Sequence, residues 1–460
     1  MPKKINSIKI HFLGAAGTVT GSKFLIETPA ENILIDCGMF QGLKELRERN
    51  WEEFPFPPSE IDLVLLTHGH LDHCGYLPRL VRQGFRGKIV GTAPTLAITK
   101  IILLDSAKIH EEEAEKANRE GYSKHDPAKP FYTEAEAETT LRFFQVKQKD
   151  KWIEASENIK YRFRYNGHII GATFIELDVF GKRFVFSGDI GREKDLLLHP
   201  PNRPTRADYL FLESTYGNRL HPSEDVSGIL IDLIQKTIHN RGNLIIPSFA
   251  VERFQALMYL LWKLDQKNKI FNISIFMDSP MGNNVLSVFN NFPKWHKLTS
   301  KEFSAMVNRV NLISSYKETW ETIDDPRPKV IIAGSGMVTG GRVLTYLSQM
   351  IDKENTTVLL VGYQAEGTRG RQLLEGADEI KFFGKYHKVN ASIKHLQSLS
   401  AHADQQELLE WTSELEYKPR EVFLIHGEST AQDALRVKLK DVYDWKVSTP
   451  KLYSVKEILI

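Results

Sequence analysis

The strongest constraint on this sequence is a cluster of histidines and an aspartate that directly follows a short apolar segment. Residues 61–66 are mostly apolar and predict a buried strand. The turn that follows contains His68, His70, Asp72 and His73. Imidazole and carboxylate groups bind zinc, and this many ligands in six residues is more than one four-coordinate ion is expected to use. The cluster therefore predicts two neighbouring metal ions, with a metal-free polar turn as the alternative.

The pattern His-x-His-x-Asp-His after a strand resembles the metallo-β-lactamase superfamily, and the other motifs of that superfamily are present. Asp36 follows the strand-like residues 32–35 and matches an early aspartate that supports the metal ligands. His168 and Asp189 match the third and fourth motifs. The resemblance implies two Zn²⁺ ions, the first held by His68, His70 and His168, the second by Asp72, His73 and His426, with Asp189 bridging them.

Further segments resemble the β-CASP branch of this superfamily, whose members process RNA and include the pre-mRNA 3′-end cleavage endonuclease. The matching segments are residues 212–217 with Glu213 (motif A), Ser400-Ala401-His402 (motif B), His426 (motif C), and residues 247–250 and 334–342 of the inserted domain. In this branch, a histidine at motif C is typical of members that act on RNA. The likeness therefore spans nearly the whole chain and favours RNA over DNA.

The resemblance and the residue types together predict a mechanism for phosphodiester hydrolysis. A hydroxide bridging the two zinc ions would be the nucleophile, because metal binding lowers the pKa of water from about 15.7 towards about 7. Asp72 is assigned both to metal binding and to catalysis. Glu213 is expected to orient His402, which would act as the general acid. The alternatives are that His402 is a metal ligand or a packing residue, and that Glu213 is a buried ion-pair partner.

Five residues in the later half of the chain are candidates for contacts with substrate phosphates. They stand at predicted strand ends or helix starts, where free backbone N–H groups favour phosphate oxygens. The candidates are Ser248, Arg253, Ser335, Gly336 and Arg342. The alternative is that these turns only permit tight packing. One departure from the family pattern is Glu252, where many relatives have glycine.

The order of predicted elements indicates one domain inserted into another. Up to residue 217 the chain has strand-like segments and a helical pattern at about 95–120, which suits a sheet sandwich covered by helices. From about residue 218, helix-length patterns alternate with short apolar runs, as in a parallel sheet with crossover helices. We therefore predict an αββα metallo-β-lactamase sandwich (residues 1–217 and 389–460) with an inserted α/β β-CASP domain (218–388) that contains a mainly parallel sheet.

Composition limits the remaining options. The chain has 460 residues, 42% hydrophobic and 26% charged, which suits a globular protein of two domains. It contains neither a signal-peptide core nor an apolar run of about 18 residues, so we expect a cytoplasmic protein without a membrane partner. The net charge of +2 means that any phosphate-binding surface must be local. Cys37 and Cys74 are interpreted as structural thiols, with zinc ligation by Cys74 as the alternative.

These features predict a zinc-dependent ribonuclease that cuts single-stranded RNA, mainly at internal positions, with 5′-to-3′ exonuclease activity as in some relatives. Single strands are favoured because a second domain over the metal face would leave only a cleft. The alternatives are a metallohydrolase of a small ester or thioester and a non-catalytic RNA-processing scaffold. The sequence leaves open whether the protein forms a homodimer and whether manganese or iron replaces zinc.

Overall fold

The structure is a computed structural model that describes residues 7–121, 126–270 and 273–460. Within these residues the chain divides into two compact units. Unit 1 comprises the described part of Met1–Asp195 with His199–Leu220 and His402–Ile460, and unit 2 comprises Leu196–Leu198 with the described part of His221–Ala401. Unit 1 is therefore built from sequence on both sides of unit 2. No helix in the described residues is long and apolar enough to cross a membrane.

The elements are numbered in chain order. The described residues form strands β1 (Ser7–Phe12), β2 (Phe24–Glu27), β3 (Asn32–Ile35), β4 (Leu63–Leu65), β5 (Lys88–Gly91), β6 (Phe144–Val146), β7 (Ile153–Ser156), β8 (Ile159–Tyr165), β9 (Thr173–Val179), β10 (Lys182–Phe186), β11 (Tyr209–Glu213), β12 (Asn243–Pro247), β13 (Ser274–Asp278), β14 (Asn311–Ile313), β15 (Lys329–Ala333), β16 (Thr356–Val361), β17 (Glu379–Phe382), β18 (Lys385–Lys388), β19 (Ser392–Leu396), β20 (Glu421–Ile425), β21 (Val447–Ser448) and β22 (Val455–Leu459). The α-helices in the same residues are α1 (Lys44–Arg49), α2 (Leu71–Cys74), α3 (Leu77–Arg82), α4 (Ala93–Glu120), α5 (Glu134–Leu141), α6 (Val226–His239), α7 (Arg253–Gln266), α8 (Pro280–Asn291), α9 (Ser300–Asn308), α10 (Tyr316–Asp324), α11 (Arg342–Met350), α12 (Arg369–Leu374), α13 (Gln405–Thr412) and α14 (Ser429–Tyr443).

Unit 1 is a sandwich of two sheets. In the described residues their strand orders are β22-β1-β2-β3-β4-β5-β6 and β21-β20-β11-β10-β9-β8-β7. Inward-facing residues of both sheets share one core, in which Phe24 of β2 packs near Phe186 of β10 and Phe211 of β11. The rings of Phe186 and Phe211 stack with their centres 4.1 Å apart. This core holds the two sheets face to face.

Helices cover the outer faces of this sandwich. The helix α4 contacts β5 and β6 of the first sheet. On the second sheet, Leu408 and Trp411 of α13 and Leu435 of α14 pack into a second core with Val185. The layer order helix, sheet, sheet, helix confirms the predicted αββα sandwich.

Unit 2 contains a sheet whose order within the described residues is β14-β13-β15-β12-β16-β19, with every pairing parallel. After β12 the chain crosses the sheet in one direction to reach β13. After the neighbouring β15 it crosses in the opposite direction to reach β16. Such a reversal between adjacent parallel strands leaves a crevice at their carboxyl ends, which is a common ligand position. The parallel sheet confirms the fold class predicted for this part of the chain.

Unit 2 also contains elements beyond the predicted pattern. It extends to Ala401, past the expected boundary at residue 388, because Ser392–Leu396 pairs with β16. The strands β17 and β18 form a separate antiparallel hairpin, which sequence analysis did not predict.

Candidate metal centre

The candidate metal ligands of unit 1 stand where strands end. His68 and His70 follow β4, and Asp72 and His73 lie in the short helix α2. The remaining ligands follow β8 (His168), β10 (Asp189) and β20 (His426). Since β3 runs parallel to β4, and β10 and β20 each run parallel to β11, the carboxyl ends of these strands bring the loops together. The sandwich therefore supplies a rigid base for a site made of loops.

The first group of donors contains three histidines and one aspartate. The Nε2 atoms of His68 and His168 lie 3.1 Å and 3.2 Å from Nδ1 of His70. Oδ2 of Asp189 lies 3.5 Å from both of those Nε2 atoms. A tetrahedral zinc ion with ligands at about 2.0–2.1 Å would hold its donors about 3.3 Å apart. The spacing of these four atoms therefore fits one zinc ion.

The second group contains Asp72, His73 and His426. Nε2 of His426 lies 3.2 Å from Nε2 of His73 and 3.3 Å from Oδ2 of Asp72. Oδ1 of Asp189 is buried and lies 3.2 Å from Nε2 of His73 and 3.5 Å from Nδ1 of His426. A cation would satisfy this oxygen. Because its two oxygens face different groups, Asp189 has the geometry of a bridging ligand.

Burial and neighbouring charges set the protonation of the histidines. Burial lowers the pKa of His70 to about 4 and the pKa of His68 well below its usual value, so both rings are neutral and able to bind metal. Burial also opposes protonation of His73, but the carboxylates of Asp189 and Asp36 outweigh it and raise the pKa of His73 well above its usual range. A metal ion at Nε2 of His73 would therefore replace a proton.

Asp36 contacts His73 from outside the two donor groups. Its Oδ2 lies 2.7 Å from Nδ1 of His73 and accepts a hydrogen bond from the Thr67 hydroxyl at 2.8 Å. The backbone of Asp36 has φ 57°, and that of His426 has φ 49°, so both lie in the left-handed region that non-glycine residues rarely adopt. Such strain is concentrated at functional sites, and here it occurs at two strand ends that meet at the metal centre.

Replacing Asp36 by asparagine should weaken zinc binding by about 10- to 100-fold, because the ring of His73 loses the charged acceptor that orients it. Competition with a chromogenic chelator measures this change. Asp62→Asn is the matched control, since Asp62 is an exposed aspartate of the same unit whose carboxylate accepts a hydrogen bond from the backbone N–H of Asn32, outside the donor groups. Equal zinc affinity in the two variants would contradict the supporting role of Asp36.

His402 and Glu213 lie beside the donor groups. Nδ1 of His402 is 3.2 Å from Oε2 of Glu213, and its Nε2 is 3.9 Å from Oδ2 of Asp189. Burial would lower the pKa of His402, but these two carboxylates outweigh it and raise the pKa to about 9. Glu213 could also join Asp189 and His426 in a third donor group. Its oxygens are already engaged by His402 and by the N–H of Ile190 at 2.6 Å, which favours a supporting role.

The five candidate substrate contacts belong to unit 2 and follow β12 or β15. Ser248 is buried, and its N–H donates to the carbonyl oxygen of Ala333 at 2.9 Å. The Ser335 hydroxyl accepts hydrogen bonds from backbone N–H groups within its own loop. A Cβ atom at Gly336 would lie 2.6 Å from the Phe249 ring, so close packing alone requires glycine there. The candidates cluster at the crevice between β12 and β15.

The two candidate arginines differ in how they are engaged. Arg342 donates to the Thr319 hydroxyl at 2.6 Å, and its guanidinium lies 3.6 Å from the centre of the Tyr316 ring. Arg253 is buried, its Nη2 lies 3.5 Å from Oε2 of Glu252, and its Nε has no hydrogen-bond partner in the described residues. The preceding Glu252 has φ 69°, a conformation that suits the glycine of the family pattern. Both arginines therefore have a partner, and Arg253 in addition has a buried Nε without one in the described residues.

Three supporting residues were missed by sequence analysis. Beyond Thr67, the side-chain amide of Asn166 donates to the carbonyl oxygens of Ser187 and Asp189, and the Thr215 hydroxyl lies 3.1 Å from Nδ1 of His426. Each adjoins a predicted motif, which was the only available signal. Cys74 belongs to none of the donor groups found in the described residues, and burial raises the pKa of its thiol well above the usual value.

Sequence models of three families match the chain. They describe the metallo-beta-lactamase superfamily (residues 16–223), the Beta-Casp domain (254–373) and a Zn-dependent metallo-hydrolase RNA specificity domain (386–450). Together with the αββα sandwich and the paired donor groups, these matches define the class of the protein as a metallo-hydrolase fold with an inserted α/β domain.

Curated relatives extend over most of the chain. Ribonuclease TTHA0252 of Thermus thermophilus is 34% identical, and the match covers 90% of this chain and 92% of that protein. Transcription termination factor FttA of Methanocaldococcus jannaschii is 29% identical over 92% of this chain and 67% of its own length. Cleavage and polyadenylation specificity factor 73 of Drosophila melanogaster is 29% identical over 96% of this chain and 63% of its own length. The chain belongs to the β-CASP family of the metallo-β-lactamase superfamily.

A solved structure shows the same fold. A protein of unknown function from Enterococcus faecalis superposes with a TM-score of 0.54 at 14% identity, covering 98% of this chain and 100% of that one.

Proposed function

We propose that this chain is a zinc-dependent ribonuclease that hydrolyses phosphodiester bonds of single-stranded RNA, mainly at internal positions. The observation that carries the proposal is the division of the two Asp189 oxygens between two donor groups. The names of the relatives, which include a ribonuclease, support RNA as the substrate. The completeness of both donor groups favours catalysis over a scaffold role.

Zinc ions bound to the two groups would supply a nucleophile from water at neutral pH and neutralise charge on the scissile phosphate. The protein residues determine where this happens. His68, His70 and His168 would hold one ion, Asp72, His73 and His426 would hold the other, and Asp189 would contribute to both. Asp36 keeps the ring of His73 oriented towards the centre.

The departing oxygen needs a proton, and we assign its donation to His402. Its Nδ1 faces Glu213 and its Nε2 faces the metal ligands, so the proton on Nε2 can reach the reacting phosphate. The raised pKa keeps the ring protonated before the reaction. His402 is absent from the donor groups found in the described residues, which favours the role of acid over that of ligand.

For RNA binding, we propose phosphate contacts from five residues that follow β12 or β15. They are Ser248, Arg253, Ser335, Gly336 and Arg342. Backbone N–H groups at such loops suit phosphate oxygens. The unused Nε of Arg253 supports it as the main charged contact. Arg342 has partners of its own and is expected to contribute less.

Arg253→Gln should raise KM for RNA by about tenfold and reduce the slope of log KM against log salt by about 0.7, the contribution of one phosphate contact on a single strand. Steady-state cleavage at several salt concentrations measures both. Arg327→Gln is the control, because Arg327 is exposed and pairs with Asp325 at 2.7 Å. If the Arg253→Gln protein unfolds at the normal temperature and keeps the normal KM and salt slope, Arg253 is not an RNA contact.

The function is tested by incubating zinc-loaded protein with single-stranded RNA labelled at the 5′ end or internally. We expect fragments of intermediate length, whereas release of mononucleotides alone would indicate trimming from an end. His70→Ala is the control for contaminating nucleases. A pure protein that contains two zinc ions, leaves RNA intact and hydrolyses a small ester or thioester would overturn the proposal.

A further inference from the structure

The hairpin formed by β17 and β18 has a composition unlike the rest of unit 2. Residues 379–388 contain three lysines, one histidine and three aromatic residues, against the single acidic residue Glu379. The lysines, Lys381, Lys385 and Lys388, are all exposed. Basic side chains interleaved with aromatic rings are the pattern that binds single-stranded nucleic acid. The hairpin is therefore a concentrated positive patch in a chain whose net charge is only +2.

The register of the hairpin separates an anchoring face from an exposed one. Ile380 and Phe382 are buried in the core of unit 2. Successive strand residues point to opposite faces, so Glu379 and Lys381 share the outer face with their cross-strand partners Lys388 and Tyr386. Lys385 is directly opposite the buried Phe382 and belongs to the other face. Tyr386 is 69% exposed, and the ammonium of Lys381 lies 5.4 Å from the centre of its ring. The outer face thus presents an aromatic ring beside a cation.

An arginine joins this hairpin to the loop that follows β15. Nε of Arg369 donates to the carbonyl oxygen of Lys381 at 2.7 Å. Its Nη1 donates to the carbonyl oxygens of Val338 and Thr339 at 3.3 Å. That loop also carries Ser335, a proposed RNA contact. The hairpin is therefore continuous with the proposed RNA-binding surface of unit 2.

We propose that the β17–β18 hairpin is a docking surface for single-stranded RNA, in which Tyr386 stacks on a base while Lys381 and Lys388, on the same face, contact phosphates. This inference rests on the proposed ribonuclease function. Charge complementarity favours RNA as the occupant, because the outer face combines two lysines and one flat ring with the single carboxylate of Glu379. Stacking on Tyr386 supplies affinity without sequence preference, since every base has a flat face. Lysine contacts make that affinity dependent on salt.

Two variants separate the two kinds of contact. Lys381→Ala/Lys388→Ala should reduce the slope of log Kd against log salt by about 1.4, since each phosphate contact on a single strand contributes about 0.7. Tyr386→Ala should weaken binding about tenfold at every salt concentration and leave the slope unchanged. Fluorescence anisotropy with the zinc-loaded full chain measures both. The probe is a labelled uridine 20-mer with phosphorothioate linkages, checked on a gel for cleavage after each titration.

Matched controls come from exposed residues elsewhere. Tyr417 is 70% exposed, so Tyr417→Ala removes an equally accessible ring. Lys267→Ala/Lys269→Ala removes two exposed lysines of the same unit. We expect both controls to bind the probe with the affinity and salt slope of the unaltered chain. Hairpin variants that match these controls would overturn the proposal.

Two further outcomes identify which proposal fails. If the hairpin changes reduce the molecular mass in solution together with RNA binding, the hairpin is an interface between copies of the chain, and RNA docking is overturned. If the chain binds RNA through the hairpin but never cleaves unmodified RNA, the ribonuclease function fails while the docking surface stands. If a chain without the hairpin contacts still cleaves RNA normally, the docking surface fails while the ribonuclease function stands.

Discussion

Asp189→Asn is expected to remove both metal ions from the protein and to reduce RNA cleavage by at least about 10³-fold. Burial would raise the pKa of Asp189, but the neighbouring His426, His73 and His68 outweigh it and hold the pKa well below the usual range. The native side chain is therefore negatively charged under all working conditions. Asparagine keeps the shape but loses that charge and one of the two oxygens. Without the ions, water keeps a pKa near about 15.7 instead of about 7.

Metal content after dialysis, measured by mass spectrometry, and the single-turnover cleavage rate test this expectation. Asp178→Asn is the matched control, because Asp178 is also an aspartate of unit 1 but pairs with Arg183 at 3.0 Å, outside the donor groups. A variant at Asp189 that retains two ions and cleaves RNA within tenfold of the normal rate would refute the bridging role. Retention of a single ion would show that Asp189 belongs to one site only.

His402→Ala should lower the rate of the chemical step by about 10²- to 10⁴-fold, the range for a positioned general acid, while the protein keeps both zinc ions. The reason is the position of His402 beside the donor groups rather than within them. Single-turnover cleavage and metal content are measured on the same preparation. His239→Ala, an exposed histidine of α6, is the control. Loss of zinc or of the folded state in His402→Ala would instead identify His402 as a ligand or a packing residue.

The variant Glu213→Gln is a second test of the proposed role of His402 and of its pairing with Glu213. Glutamine keeps hydrogen bonding to His402 but removes the charge that raises its pKa. A raised pKa means that the proton is present at low pH and is lost as the pH rises through about 9. The pH above which cleavage declines should therefore move lower in Glu213→Gln. An unchanged pH profile would contradict orientation and charging of His402 by Glu213.

Much of the fold could be predicted because its signals are local. The apolar runs at 244–247 and 330–333 are found as β12 (Asn243–Pro247) and β15 (Lys329–Ala333), and the helical pattern at about 95–120 is found as α4 (Ala93–Glu120). Caps explain the limits of α4, since the Thr92 side chain accepts the N–H of Thr95 and Gly121 has φ 66°. Short elements such as β14 and the β17–β18 hairpin were not predicted from the sequence, because a few partly exposed residues show little hydrophobic periodicity.

The candidate metal site was also predictable from the sequence only in part. The spacing of His68, His70, Asp72 and His73 could be recognised because they are neighbours in sequence. The supporting contacts of Asn166 and Thr215 could not, because their partners are set by strand pairing across long stretches of chain. The tertiary structure also distinguishes Arg253 from Arg342 as candidate phosphate contacts. Both stand at helix starts, but the ring of Tyr316 and the hydroxyl of Thr319 engage only Arg342.

The sequence by itself determined which donors the chain carries and that each follows a strand, because residue type and hydrophobic periodicity are local properties. Only the tertiary structure decided which donors form a group, how Asp189 divides its oxygens and which face of the β17–β18 hairpin meets solvent. Those outcomes depend on the pairing and packing of strands that are far apart in the chain. A difference of one residue in register would turn each strand-borne side chain to the opposite face.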